Sequence, residues 1–264
     1  MDENSEKLPL LFKCFRDSLI GKNTRGIIHN INSPLQVLSM QIELLRMDYL
    51  KLKDRLSSPD NFHSGDQAHQ ELVQLMERGY GRLSQVEEVL QRINTLIAVI
   101  AARVSETDET GGTPVMLNQL LEEQIEFWKS DLFFKHKVFL SLKLPPISPV
   151  IVTREDILRD VIDGILFGCL EQIRDFSEPR IEIECVPAQK ESKGHLITFS
   201  QNGPLFPVED VRGLIDRFTE KGGEDFPVFE NTSQGYFSLL LAFICAEIIG
   251  SRVEIGKDHI DLSI

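Results

Sequence analysis

Hydrophobic positions recur with an alternating spacing of three and four at Ile28, Ile31, Leu35, Leu38, Ile42, Leu45, Tyr49 and Leu52. That spacing keeps one face of an α-helix apolar and is the seam pattern of helices that pack lengthwise. It breaks at SSPDNFHSGDQ (57–67), where Pro, Asp, Asn and Gly mark a loop. It resumes at Leu72, Met76, Gly79, Leu83, Val86, Leu90, Ile93, Ile97 and Ile100. Two long helices joined by a short loop form an antiparallel hairpin. A lone hairpin cannot bury so long a seam, whereas two copies side by side can, as a four-helix bundle. The pattern therefore predicts a homodimer through residues 10–104. Packing of the hairpin on its own C-terminal half is the alternative.

SETDETGGTP (105–114) has the composition of a linker between a hairpin domain, 1–104, and a second domain, 115–264. Beyond it the texture changes. VMLNQLLEEQIEFWKSDL predicts a helix and KVFLSLKL a strand. TREDILRDVIDGILFGCLEQIRD predicts a helix capped by Thr153 with Glu155 in its first turn. RIEIECV and HLITFSQ read as strands joined by a turn at AQKESKG. VEDVRGLIDRF reads as a short helix, SLLLAFICAEIIG as a buried one, and RVEIG with IDLSI as a closing hairpin. Helices with a mainly antiparallel sheet make the second domain α+β.

Hydrophobic residues make up 42% of the 264 and charged residues 26%, the balance of a globular chain with a core. The net charge of −13 argues against nucleic acid or an anionic membrane as partner, because no phosphate-neutralising face is implied. The longest apolar stretch, YFSLLLAFICAEIIG, is too short to span a bilayer and contains Glu247. The N-terminal MDENSEKLPLLF is acidic, unlike a signal peptide. The four cysteines, Cys14, Cys169, Cys185 and Cys245, show no metal-ligand spacing, and the last three lie in apolar segments as core residues. A reducing, cytoplasmic setting fits, and no metal site is expected.

The candidate chemistry lies in HNINSPLQVL, within the first helix. His29 stands one residue past the seam position Ile28, so it flanks the seam and faces solvent. Asn32 and Ser33 follow at i+3 and i+4 on the same face. Pro34 removes the backbone bond to Asn30 and loosens the helix beside the imidazole. An exposed neutral imidazole can act as a nucleophile near neutral pH. An ordinary surface histidine is the plain alternative.

HNINSPLQVL resembles the phosphoacceptor box of bacterial sensor histidine kinases, which reads His, an acid, an apolar residue, a polar residue, Asn or Thr, then Pro-Leu. His29, Ile31, Ser33, Pro34 and Leu35 fit that frame. The resemblance implies that His29 carries a phosphoryl group on a ring nitrogen. It also implies that Ser33 falls where the family positions a water for dephosphorylating its partner. Asn30 departs from the pattern: autophosphorylating kinases carry Asp or Glu there, and an amide cannot accept the imidazole proton.

The element order of 115–264 resembles the same family's Bergerat-type ATPase domain, but the motifs are eroded. Gly164 and Gly168 stand where NLLxNA supplies a magnesium-ligating asparagine. In QNGPLFP, Asn202, Gly203, Pro204 and Pro207 fit DNGPGIP, while Gln201 replaces the adenine-reading Asp and Leu205 replaces a glycine. FTEKGG, with Phe218, Thr219 and Lys221, resembles the F box. Of the GxGLGL phosphate loop only Gly235 survives, with Tyr236 and Phe237 beside it. Glycine-rich loops hold phosphate through bare backbone amides, which bulky residues deny.

The resemblance thus implies a kinase-like histidine phosphotransferase without cofactor. His29 would exchange a phosphoryl group with aspartates of response-regulator receiver domains, the receiver supplying the magnesium, and ATP is not expected to bind. An active kinase with an atypical ATP site and a non-catalytic docking module stand beside that reading. His63, His69, His136, His195 and His259 have no partner spacing and read as solvated or structural.

Overall fold

Helix α1 runs unbroken over Asn4–Ser57 and α2 over Gly65–Val104 in the computed structural model. The model describes residues 4–57, 65–104, 111–188, 194–204, Glu209, Gly213 and 234–264. The chain divides into two compact units, Arg25–Ile100 and Met1–Thr24 with Ala101–Ile264. The first six turns of α1 and the last turn of α2 thus group with the C-terminal domain, a division that differs from the expected break after 104.

The hairpin unit separates the apolar seam into two sets seven residues apart. Ile31, Leu38, Leu45 and Leu52 on α1 are half-buried, as are Leu72, Gly79 and Val86 on α2, and Ile93 is buried. The alternate positions Ile28, Leu35, Ile42 and Tyr49, with Met76, Leu83, Leu90 and Ile97, stay exposed. Midway along, Arg82 on α2 donates to the buried Asp48 on α1. Such a pair fixes the register of two helices, because a slide leaves the buried Asp48 carboxylate unpaired.

In the other unit, strand β1 (Thr113–Met116) leads into α3 (Leu117–Trp128) and α4 (Leu132–Lys137), followed by β2 (Phe139–Lys143) and β3 (Val150–Thr153). Helix α5 (Glu155–Ile173) precedes β4 (Arg180–Pro187) and β5 (His195–Gln201). Helix α6 (Gln234–Ile248), β6 (Arg252–Ile255) and β7 (His259–Ser263) complete the order. Five strands form one sheet in the order β2-β4-β5-β7-β6, antiparallel except for β2 beside β4, and β1 pairs antiparallel with β3. The expected α+β architecture, a helical hairpin followed by helices on a mainly antiparallel sheet, is what the chain adopts.

The sheet alternates, burying Ile181, Ile183 and Cys185 on β4 with Ile197 and Phe199 on β5. Cys169 and Cys245 lie in the core as expected, and burial pushes the Cys169 thiol up to about 12. Two residues beyond α6, Gly250 takes a φ of 67° that glycine adopts without strain, and Ser251 N–H closes the turn on Ala246 O.

Three local expectations change. Thr113 and Pro114, read as linker, belong to β1, and Val115 and Met116, read as helix, continue that strand. Strand β3 at 150–153 stands where the sequence pattern assigned no element. Thr153 ends this strand instead of capping α5: its hydroxyl is buried without a partner, and Arg154 occupies the N-cap position. Of the predicted helix VEDVRGLIDRF only Glu209 and Gly213 are described, both helical. The loop at 58–64, the linker residues 105–110, Leu205, Pro207, Phe218, Thr219 and Lys221 lie outside the described residues. No described helix is long and apolar enough to cross a membrane.

Buried polar groups tie the C-terminal unit to the ends of the long helices. Arg103, in the last turn of α2, donates to Gln124 Oε1 at 2.6 Å and Asp163 Oδ1 at 3.2 Å, with its guanidinium 3.5 Å above the Phe127 ring. Burial lowers its pKa, opposed by Asp163. The same Asp163 oxygen accepts from Trp128 Nε1 at 2.8 Å and Gln124 Nε2 at 3.0 Å. Along α1, Arg16 pairs with Asp160, and Lys22 lies 3.3 Å from Glu171 and 4.0 Å above the Phe167 ring. Phe12, Phe15 and Leu19 are buried on the same stretch of α1.

Candidate functional site

His29 is exposed on α1, as its offset from the apolar seam predicts. Asn32 and Ser33 are exposed on the same face, one turn further along. Asn30 is half-buried and Pro34 is buried. The helix continues through Pro34, so the proline is accommodated without a break. Pro34 has no N–H and so donates no helical hydrogen bond of its own. The arrangement is an accessible imidazole with two short polar side chains beside it, raised on a helix anchored through a buried proline.

One feature of this surface was readable in the sequence but had no part in the expectations above. At about 100° per residue, Met40 and Met47 fall within about 20° of the direction of His29. They are 52% and 47% exposed and lie off the seam positions. Gln36 and Glu43 flank the same line and are exposed. Two flexible, polarisable methionines in line with an exposed histidine form an adaptable apolar track. Counting helical turns from His29 instead of from the seam is the signal that finds them.

The positions matched to a nucleotide site gather around the second half of α5. A Cβ added at Gly168 would lie 2.6 Å from Leu239 Cδ2 and Cγ, and one added at Gly164 would lie 2.5 Å from Ser238 O. These glycines admit α6, whose own Gly235 would place a Cβ 3.0 Å from Glu171 Cβ and 3.8 Å from Gly168 Cα. Tyr236 and Phe237 are half-buried on the same turn. Gln201, at the end of β5, is buried; its Nε2 donates to Pro204 O at 2.7 Å and its Oε1 accepts from Gly203 N–H. The Gln201 amide oxygen is thus spent within its own turn. Asn202 accepts from Arg180 N–H at 2.7 Å and donates to Glu178 O at 2.8 Å, stapling the start of β4.

The fold family named by the sequence resemblance holds a magnesium nucleotide here, and these residues do not fit one. Positions 164 and 168 offer no oxygen ligand, Leu239 covers Gly168, and Gln201 is committed to its turn.

The carboxylates of α5 carry the electrostatics of this unit. Burial pushes Asp160 up to about 6, against the opposing pull of Arg16, with Asp163 and Asp156 adding to the rise. His136 is exposed, and His259 pairs with Asp258 at 2.9 Å.

No protein-family model and no curated protein matches the sequence. Among solved structures, the chain is similar to the histidine kinase AdeS of Acinetobacter baumannii, at 13% identity and TM-score 0.41, over 83% of this chain and 95% of that one. It is similar to the histidine kinase domain of the blue-light-activated kinase EL346 of Erythrobacter litoralis, at 9% identity and TM-score 0.40, over 84% and 95%. It is also similar to the ATP-binding domain of PrrB from Mycobacterium tuberculosis, at 16% identity and TM-score 0.40, over 58% and 95%.

Proposed function

We propose that this protein is a phosphorelay component in which His29 accepts a phosphoryl group from the aspartyl phosphate of a response-regulator receiver domain and donates it to another. The observation that carries the reading is the exposed His29, with Asn32 and Ser33 beside it, Pro34 buried below, and Met40 and Met47 continuing the same surface. A neutral ring nitrogen attacks phosphorus, the P–N bond forms, the P–O bond to the aspartate breaks, and the carboxylate leaves. The imidazole loses its remaining N–H proton to solvent or to the receiver. The partner supplies magnesium and most of the charge compensation, so this chain contributes placement. Asn30 beside His29 orients the ring without acting as a base, which suits transfer between proteins better than autophosphorylation.

The two exposed stripes of the hairpin, Ile28 to Tyr49 and Met76 to Ile97, support a homodimer through the helices. Eight large side chains left open at seven-residue intervals on the two helices are more exposed apolar surface than a monomer usually carries. A second copy covers them as a four-helix bundle.

The test mixes the protein with receiver domains carrying labelled aspartyl phosphate, and separately with labelled ATP and magnesium, and follows label on His29. Transfer from a receiver that is lost in His29→Ala is the expected result. Label from ATP alone makes the protein a kinase. Label from neither donor, with a receiver that binds, makes it a docking module.

A further inference from the structure

We infer that α6 has taken over the space in which a magnesium nucleotide would sit, so that this domain cannot be returned to nucleotide binding by restoring the missing ligand. The inference deepens the reading of the C-terminal domain given above, and its test does not involve His29. Gly164 and Gly168 lie one helical turn apart on the face of α5 that meets α6. At both, a single carbon would strike the neighbouring helix: Ser238 O and Ala242 Cβ at 2.5 and 3.0 Å from Gly164, Leu239 Cδ2 at 2.6 Å from Gly168. Glycine inside a helix weakens it by about 1 kcal/mol relative to alanine. Two of them on one buried helix make sense where they permit close helix approach.

The packing around them is continuous. Leu166, Cys169, Leu170 and Ile173 on α5, with Leu239, Leu240 and Ala242 on α6, are all buried. Ser238, at the contact, is buried and donates its O–H back to Gly235 O at 2.7 Å, so its one side-chain donor is spent within α6. At the other end of the same region, Gly203 sits against Ile173, and the Gln201 amide is closed on Gly203 and Pro204. The two glycines therefore serve helix packing, and an asparagine at position 168 would be driven into Leu239 instead of facing a metal.

Three proteins decide the matter: the wild-type chain, Gly168→Asn, and Gly168→Asn with Leu239→Ala. Each is titrated with Mg-ADP and a magnesium-bound non-hydrolysable ATP analogue by calorimetry and melted by Trp128 fluorescence. The wild type is expected to bind neither nucleotide. Gly168→Asn is expected to lower Tm by roughly 5 °C, as overpacking does, without gaining binding. Removing the Leu239 side chain in the double variant is expected to recover much of that loss. Saturable binding by the wild type or by Gly168→Asn overturns the inference, as does an unchanged Tm in Gly168→Asn. A double variant no more stable than the single one removes Leu239 as the cause and overturns it too.

Discussion

Arg16 and Asp160, 144 residues apart, meet in a forked pair, with Nε donating at 2.7 and 3.0 Å and Nη2 at 2.5 Å. Asp160 is 3% exposed, so its carboxylate depends on this partner to stay buried and charged. Breaking one side of such a pair costs about 3 kcal/mol or more, whereas replacing both sides with apolar residues is close to neutral. Arg16→Met is therefore expected to destabilise the C-terminal unit by that amount, and Arg16→Met with Asp160→Leu to recover most of it. Urea melts read by the single Trp128 check both.

Asp160 also makes stability depend on pH. Its folded pKa of about 6 lies above the unfolded carboxylate value of about 3.9, so the folded state holds the proton more tightly. The stabilisation from this group is full below about pH 4 and is lost as pH rises toward 6. Wild type minus Asp160→Asn should therefore fall in stability between pH 4 and 6 and stay flat above. A difference that rises over that window contradicts the assignment.

The track below His29 predicts a separation of binding from chemistry. Met40→Ala and Met47→Ala should each weaken receiver binding roughly tenfold, the cost of truncating an apolar anchor. The rate of transfer within the bound complex should change little. His29→Gln should abolish transfer and leave receiver affinity intact. Rapid-quench kinetics over a range of receiver concentrations separate the two effects.

The exposed stripes predict how the hairpin assembles. Ile42→Glu and Leu83→Glu place charges where a second copy would cover them, and burying an unpaired carboxylate is prohibitive. Light scattering should show the mass fall from two chains to one, with helicity by circular dichroism largely kept. A wild-type protein that is already a single chain at micromolar concentration refutes the dimer.

Much of this was legible along the chain. The three-four spacing is a property of the helix itself, so α1 and α2 could be read from sequence, and His29 could be placed outside the seam. Strand alternation likewise exposed β4 and β5. What could not be read depended on partners far away in sequence. Nothing local to Arg16 or Lys22 reveals that α1 carries them to Asp160 and Glu171. Nothing local to Asp48 reveals that it is buried, since a lone Asp in a helix normally faces water. Strand β3 escaped because the four residues that follow Pro149 carry too little period to distinguish a strand from a loop.

The sequence by itself determined the periodic elements, from the two long helices to strands β4 and β5, and an exposed histidine followed by a helix-embedded proline. Each follows from a repeat that a single segment carries. Only the tertiary structure decided the meaning of Gly164 and Gly168. In the chain they are absent ligands; in the fold they are the room that Ser238 and Leu239 require. It also divided the seam into a covered and an open half, because burial depends on which helix lies alongside, and that is a property of packing.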